Sequence, residues 1–374
     1  MTNRNASQTL QYLPQFTSRK VTAIPTGLSD LPDSLAEWAA CYLTLAVIGV
    51  RSPAVTQKIA LHLDRFVGFF VEAYSHNRIT TCLKRDVVAW QRALVDWGLA
   101  PATVNNHLAS LSAFTTWVSV QAPQVFPVGD PAKGVGELGL PALEPRALSP
   151  NQVRSLKNVC DRLERFHQKK GARWVGNGTA PLKQQARPLR DRAIVYVLLS
   201  TGLRREELVQ LDVDQVSPNT VEGLRQARQG RISRVKGKGR TERTVFLSSD
   251  ARQALADYLE RERSRDAGEA STALFLSAVG LPVRSADGRL SARAINLILE
   301  QIGRWHDAEF PDLARRIAPL RPHDLRHTFA FQLATATGAD AYELERRLGH
   351  RSQRYIQRYT NPPEAVAAAY VEEF

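Results

Sequence analysis

A stretch rich in proline and glycine, residues 121–148, divides this chain into two parts with different sequence patterns. In the first part, apolar residues recur at the three- and four-residue spacing of amphipathic helices. The dividing stretch has no sustained period, which is typical of a linker. The second part mixes helical patterns with strand-like runs. Because 374 residues is also long for a single domain, the sequence predicts two domains.

The first part is predicted to be helical throughout. Residues 1–32 form a polar arm without periodicity, and four amphipathic helices within residues 33–125 predict a compact helical domain. The second of these helices begins at Ser52, an N-cap residue followed by Pro53 at the first helical position. The fourth begins near Thr103.

The second part is predicted to be a mixed domain. After a linker at residues 126–148, Ser149 and Gln152 form the pattern of a capping box that opens a domain over residues 149–374. Residues 232–235 and 244–247 read as a β-hairpin among further helices. The predicted fold class is therefore mainly α with a small β-sheet. A basic segment at residues 166–187 is predicted to be a long loop.

The charge of the chain indicates a polyanionic partner. The net charge is +13 and the isoelectric point is near 9.9. Up to Leu148 there are 12 Lys and Arg against 10 Asp and Glu, whereas the remainder holds 38 against 27. Nucleic acid is a better candidate than a membrane, although a merely soluble basic protein would also satisfy the charge alone. No apolar run approaches the roughly 20 residues of a membrane span, and three widely spaced cysteines favour a reducing cytoplasm.

Four short segments of the second part carry residue types suited to phosphate chemistry. They contain Arg204, Lys238, the pair His323 and Arg326, and finally His350 with Tyr359. Taken singly, each has a simpler explanation, such as a surface arginine, a solvated turn lysine or a core tyrosine. The pair three residues apart is more specific, because both side chains share one face of a helix and together suit a phosphate. No set of ligands around them completes a metal site, so we expect no metal.

The order of the four segments resembles that of the tyrosine recombinase (phage integrase) family. The matching stretches are Thr201–Arg204 with Glu207–Leu208, Gly237–Gly239, His323–His327, and Leu348–His350 ahead of Tyr359. The resemblance extends over residues 33–374, with specific motifs only after Ser149. It implies a C-shaped clamp on DNA, formed by a helical SAM-like core-binding domain and a mixed α/β catalytic domain with a C-terminal tail helix.

The resemblance also implies a reaction. Tyr359 would attack the scissile phosphate and leave a 3′-phosphotyrosyl bond and a free 5′-hydroxyl, without ATP, metal or any other cofactor. Tyr355 is the alternative nucleophile. Arg204 and Arg326 would bind the non-bridging oxygens, and Glu207 would support Arg204 rather than catalyse.

The remaining roles concern protons. By the same resemblance, Lys238 would protonate the leaving 5′-oxygen, with Lys236 as a competing candidate. His323 would help to remove the proton of Tyr359 or hold the phosphate, and His350 would donate to a phosphate oxygen.

We expect the partner to be a double-stranded DNA recombination site. The predicted DNA contacts come from the fourth helix, the basic loop and the hairpin tip: Asn105, Asn106, His107, Lys169, Lys170 and Arg240. The tail from Glu364 suggests a homotetramer on two paired sites, with accessory DNA-bending proteins as further partners. We expect a cytoplasmic, nucleoid-associated enzyme that integrates or excises a mobile element. The alternatives are a chromosome- or plasmid-dimer resolvase, a type IB topoisomerase-like enzyme and a catalytically silent DNA-binding protein.

Overall fold

The computed structural model describes residues 31–140, 146–168, 184–237, 241–269, 271–282 and 285–349. The chain falls into two units, Met1–Leu143 and Glu144–Phe374. Each has its own cluster of buried apolar side chains. Of the helices in these described ranges, none is both long and apolar enough to cross a membrane.

The described part of the first unit is helical, as the periodicity predicts. Its helices are α1 (Leu35–Tyr42), α2 (Pro53–Tyr74), α3 (Lys84–Asp96) and α4 (Pro101–Gln121). A π-helical turn, Leu43–Val47, continues α1. Ser52 lies at the N-cap of α2 as predicted, but its side chain makes no capping hydrogen bond. Pro53 therefore marks this helix start without help from a side-chain cap.

Helix α4 is the centre of the first unit. Its apolar residues Val104, Leu111, Phe114 and Val118 are almost completely buried. These positions recur at the spacing of an amphipathic helix, in keeping with the predicted helical character of this part. Trp117 packs with the rings of Trp38 and Tyr42 from α1. Polar side chains are buried on α4 as well, which the periodicity alone does not predict.

The second unit adds helices around a small sheet. Its helices are α5 (Pro150–Cys160), α6 (Leu163–His167), α7 (Pro188–Thr201), α8 (Arg205–Val209), α9 (Val221–Gln226), α10 (Ser249–Tyr258), α11 (Ser264–Asp266), α12 (Ala292–Glu309), α13 (Pro322–Ala336) and α14 (Ala341–Leu348). The predicted capping box of α5 is confirmed, because the backbone N of Ser149 donates to Gln152 Oε1 at 2.9 Å and the Gln152 N donates to Ser149 Oγ at 3.3 Å.

The sheet has three antiparallel strands in the order β1 (Val216–Ser217), β2 (Gly230–Lys236) and β3 (Glu242–Leu247). The predicted hairpin is confirmed, with Ile232 paired to Val245. The register shifts between Ile232 and Val235, where Arg234 has a φ of 53°. The two-residue β1 is not among our predictions, because so short a strand leaves no alternating pattern in the sequence.

Helix α7 is the core element that positions the site. Almost all of its side chains are buried, and it packs against α10, α13 and β3. Helix α14 in turn lies against β3 and α13. The ends of α7 and α14 and the start of α13 therefore share neighbours, although they are far apart in sequence.

Candidate active site

The turn after α7 places Arg204. Gly202 ends the helix with a φ of 59°, a left-handed conformation that favours glycine. A Cβ atom at this position would lie 2.3 Å from Cδ1 of Phe329, so the space is closed as well. Leu203 follows, and Arg204 is the N-cap of the short helix α8.

Glu207 supports Arg204, as predicted. The backbone N of Arg204 donates to Glu207 Oε2 at 2.7 Å, and its Nη1 donates to Oε1 at 2.8 Å. Arg243 on β3 adds a second fork to the same carboxylate, from Nη1 at 3.0 Å and Nη2 at 2.6 Å. Burial alone would raise the pKa of Glu207, but the hydrogen bonds and charges of Arg243 and Arg204 lower it to about 2. Glu207 is therefore ionised throughout the physiological range.

Arg326 connects three of the four motif segments. It lies one turn into α13 and is only 3% exposed. Its Nη1 donates to the carbonyl oxygen of Gly202 at 2.5 Å, and its Nη2 donates to that of Leu348 at 2.6 Å. Arg204 reaches the same region, since its Nη2 donates to the Gly349 oxygen at 3.3 Å. The structure thus brings together Arg204, Arg326 and the end of α14.

His323 lies at the start of α13, on the same helix as Arg326 and three residues before it. The residue remains exposed, in contrast to the buried arginine. Partial burial of the ring and the nearby guanidiniums of Arg326, Arg205 and Arg204 lower the pKa of His323 below its usual 6.5. The imidazole is therefore neutral at pH 7 and can accept a proton.

A cleft opens beside His323. It has a volume of about 410 Å³ and is lined in part by Arg205 and Arg321. Besides these two guanidiniums and the imidazole, the lining includes one carboxylate, that of Glu300, so the cleft has a small excess of positive charge that suits the phosphates of a nucleic acid backbone.

Several predicted site residues lie outside the described residues: Lys238, Arg240, His350, Tyr359, Lys169 and Lys170. The hairpin that contains the first two is described up to its tip, where the backbone N of Gly237 donates to the Thr241 oxygen at 2.7 Å. Their roles stay predictions.

The three residues predicted to contact DNA from α4 have different environments. Asn105 is buried, and its amide exchanges two hydrogen bonds of 2.9 Å with the backbone of Leu138. His107 is also buried, between Thr103 and Arg65. Both side chains hold the protein together in this conformation, which our prediction of DNA contacts does not anticipate. Asn106 is exposed, with its Oδ1 accepting from Lys58 and its Nδ2 donating to the Ala102 oxygen, so of the three residues it is the one accessible to a ligand.

Arg243 is the residue of this site that the motif analysis does not assign. Its sequence signal is weak, because an arginine on a strand next to a basic turn is usually solvated. The contact with Glu207, 36 residues away, is what places Arg243 beside Arg204 in this site.

Comparison with known proteins is consistent with this geometry. The model of the phage integrase family matches residues 178–365. A tyrosine recombinase XerC from Corynebacterium efficiens is 30% identical over 73% of this chain and 71% of its own length. The XerC of Syntrophus aciditrophicus is 32% identical over 78% of this chain and 83% of its own length.

Solved structures show the same fold. The XerH site-specific recombinase bound to palindromic difH substrate aligns with a TM-score of 0.64 and 18% identity, over 91% of this chain and 85% of that one. The Tn1549 transposon integrase in complex with a circular intermediate DNA aligns with a TM-score of 0.62 and 17% identity, over 92% of this chain and all of that one. On the family match and the relatives at 30% identity or more, this chain belongs to the phage integrase family and is a tyrosine recombinase.

Proposed function

We propose that this recombinase cuts and rejoins DNA at specific sites by attack of Tyr359 on the scissile phosphate. The observation that supports the proposal is the position of Arg326, whose guanidinium joins the turn at Gly202 to the helix end at Leu348. His350 and Tyr359 follow that helix end in the sequence. Three segments with phosphate chemistry thus converge on one place.

The chemistry follows from the residue types. As the bond from the Tyr359 oxygen to phosphorus forms and the bond to the 5′-oxygen breaks, extra negative charge develops on the non-bridging oxygens. Arg204 and Arg326 offer permanently charged forks for this charge. Loss of one such donor typically lowers the rate about 100- to 1000-fold.

Proton transfer is divided among three residues. Neutral His323 accepts the phenol proton of Tyr359 or bonds the phosphate, because its pKa is lowered. Lys238 gives a proton to the departing 5′-oxygen, and His350 donates to a phosphate oxygen. The 5′-hydroxyl of a partner strand then attacks the phosphotyrosyl bond and releases the tyrosine.

Double-stranded DNA is the substrate in this proposal, and a homotetramer on two paired sites carries out the exchange, with accessory DNA-bending proteins as further partners. The cleft at His323 and the exposed Asn106 are candidate contacts. The excess of positive charge in the second part of the chain supports an extensive phosphate footprint. Binding should therefore weaken steeply with salt.

For the biological role, we propose the integration or excision of a mobile element. The long basic segment and the N-terminal arm favour this over a compact housekeeping resolvase. The shared name XerC of the relatives favours a second candidate, a chromosomal role such as dimer resolution. Recovery of the cleaved DNA separates the two, because a mobile element is cut at its own ends.

The test is covalent trapping on nicked duplexes tiled across the DNA on either side of the gene. Wild type should remain linked to one duplex on a denaturing gel, and Tyr359→Phe should bind that duplex without forming the link. Tyr355→Phe is the matched control and should behave as wild type. Protein-linked DNA with Tyr359→Phe would refute the assignment, and relaxation of supercoils without a second site would favour the topoisomerase reading.

A further inference from the structure

The end of helix α14 is held by three guanidiniums. The last carbonyl groups of a helix have no partner within it, and they carry the negative end of the helix dipole. Here the Leu348 oxygen accepts from Arg326 and the Gly349 oxygen accepts from Arg204. The preceding oxygen, that of Arg347, accepts from Nε of Arg243 at 2.9 Å. Three successive carbonyls are therefore bonded to three different cations.

Two of the three, Arg204 and Arg243, contact both Glu207 and the end of α14 through one side chain, and Arg243 does so with all three of its guanidinium nitrogens. Its two terminal nitrogens bind the carboxylate of Glu207, and its Nε binds the helix end. The side chain is only 9% exposed, and each of its three nitrogens donates to one of these two partners. Glu207 in turn fixes both the backbone and the guanidinium of Arg204.

Neighbouring contacts hold the helix end against the strand that carries Arg243. The guanidinium of Arg347 lies 4.6 Å from the centre of the Phe246 ring and donates to the Thr244 oxygen at 3.3 Å. At Gly349, a Cβ atom would lie 3.1 Å from Nη1 of Arg243, and the φ of 62° favours glycine as well. The helix thus ends in close contact with Arg243.

We propose that Arg243 is a positioning residue that ties the orientation of catalytic Arg204 to the helix end from which the chain continues to His350. This inference rests on the recombinase mechanism proposed above. Arg243 acts through Glu207 on one side and through the Arg347 oxygen on the other, so it need not touch DNA. A planar fork is required, because one ammonium group cannot bind a carboxylate by two parallel bonds and reach a third acceptor.

The experiment compares Arg243→Lys and Arg243→Met in single-turnover cleavage of the nicked duplex that wild type links to itself. At saturating protein, we expect cleavage to slow about 10-fold for lysine and roughly 100-fold for methionine, since small misplacements of catalytic groups have effects of this size. Binding of the duplex should change less than about 3-fold, because the phosphate contacts are spread over many residues.

The matched control is Arg252→Lys. Arg252 is also a buried arginine of this unit, and it donates to the carbonyl oxygens of Leu247 and Ala227 without contacting Glu207 or α14. We expect its cleavage rate to stay within about 2-fold of wild type. A loss as large as that of Arg243→Lys would mean that any buried arginine matters equally and would overturn the proposal.

The pH dependence of the cleavage rate distinguishes a role of Arg243 in positioning Arg204 from a simple loss of protein stability. Without the Arg243 fork, the carboxyl of Glu207 loses its main stabilising partner, so its pKa should rise. Wild-type cleavage should decline on the acid side as His323 takes up a proton, and cleavage by Arg243→Met should decline more steeply because Glu207 then takes up a proton as well. An unchanged profile, or wild-type cleavage by Arg243→Lys, overturns the inference. If wild type itself forms no covalent link, the proposed function fails instead.

Discussion

One buried polar cluster from each unit of this recombinase shows a different way to compensate buried polar side chains. Between α2 and α4, the first unit stacks two neutral imidazoles, His62 and His107, with ring centres 3.8 Å apart. The second unit instead surrounds one ionised carboxylate, Glu207, with the guanidiniums of Arg204 and Arg243. Both arrangements join elements far apart in sequence, but only the second keeps its charges.

The imidazole pair is neutral for a geometric reason. Nδ1 of His107 lies 3.0 Å from the Thr103 oxygen, and since a carbonyl only accepts, this nitrogen carries the hydrogen. Nε2 is then an acceptor for Arg65, at 3.4 Å. Burial first, and then the neighbouring ring of His107 and the charges of Lys58 and Arg65, lower the pKa of His62 to about 3.

The difference between the neutral histidine pair and the charged Glu207 cluster indicates where permanent charge is needed. A buried neutral pair avoids the cost of desolvating ions, which is sufficient for joining two helices. A phosphate site needs cations at every pH, and buried cations need a carboxylate and carbonyl oxygens to compensate them. The charged cluster should therefore be more sensitive to mutation, and the neutral pair more sensitive to acid.

The largest expected effect is that of Glu207→Ala. This change leaves Arg243 and Arg204 without their carboxylate, and removal of one partner of a buried ion pair typically costs about 3–5 kcal/mol. We expect the free energy of unfolding in urea to fall by that amount. Glu206→Ala on the same helix is the control, because its exposed pair with Arg205 should contribute under about 1 kcal/mol. Equal losses of unfolding free energy in the two variants would contradict the expectation that the buried carboxylate contributes more to stability than the exposed one.

Glycine-to-alanine substitutions compare backbone strain in the two units. Gly202→Ala should cost about 3 kcal/mol, from the left-handed backbone and the clash with Phe329 combined. Gly98→Ala in the first unit has a φ of 77° but open space around it, so only the strain of about 1 kcal/mol remains. Thermal unfolding measures both. If Gly202→Ala costs no more than Gly98→Ala, the close approach of Phe329 has no energetic role.

Acid should destabilise the first unit before it affects the Glu207 cluster. The folded pKa of His62, about 3, lies below its usual 6.5, so stability is complete above pH 6.5 and is lost as the pH falls toward 3. At pH 5 the loss is about 2 kcal/mol. Glu207 has a pKa of about 2, so its contribution is lost only as the pH falls from its usual 4.5 through 2.

Tryptophan fluorescence can follow the acid transition, because four of the six tryptophans, Trp38, Trp90, Trp97 and Trp117, belong to the first unit. His62→Gln should reduce the change in the free energy of unfolding of this unit between pH 6.5 and 5. His76→Gln, at an exposed position, is the control and should leave the slope as in wild type. A wild-type slope that His62→Gln does not change would contradict the role of the neutral pair.

The smallest effect concerns α4 and separates structure from recognition. Asn105→Ala loses two hydrogen bonds to Leu138 and should cost about 1–2 kcal/mol of stability. Asn106→Ala is exposed and should change stability by less than about 0.5 kcal/mol, while lowering DNA affinity if this residue contacts DNA. Urea unfolding measures the stability of both variants, and gel-shift titration measures their affinity for DNA. If Asn106→Ala leaves the DNA affinity unchanged, Asn106 is not part of the DNA interface.

Local signals made much of the fold predictable. Proline and serine mark the start of α5, glycine marks the end of α7, and periodicity gives the core of α4. Helix α14 carries a similar signal, an aspartate cap at Asp340 with Leu344 and Leu348 four residues apart, yet our prediction does not include it. Motif order was sufficient to identify Arg204, His323 and Arg326 as candidates.

Long-range contacts could not be predicted. Arg243 meets its partners at separations of 36 and 104 residues, and no local pattern encodes such a contact. The same holds for Asn105, whose sequence neighbourhood is that of an exposed polar residue but whose amide binds a segment 33 residues away. Residue type gives what a side chain can do, and only the packing decides which partner it meets.

The absence of a side chain at Gly202 affects the spacing of the segments around it. With no side chain there, the ring of Phe329 sits directly on the main chain, one helical turn beyond Arg326. The closest approach of a ring to the main chain is set by van der Waals radii and involves no net charge. An uncharged contact therefore helps to set the spacing between the segments that carry Arg204 and Arg326, so salt and pH should change the attraction of the proposed site for a phosphate more than they change this spacing.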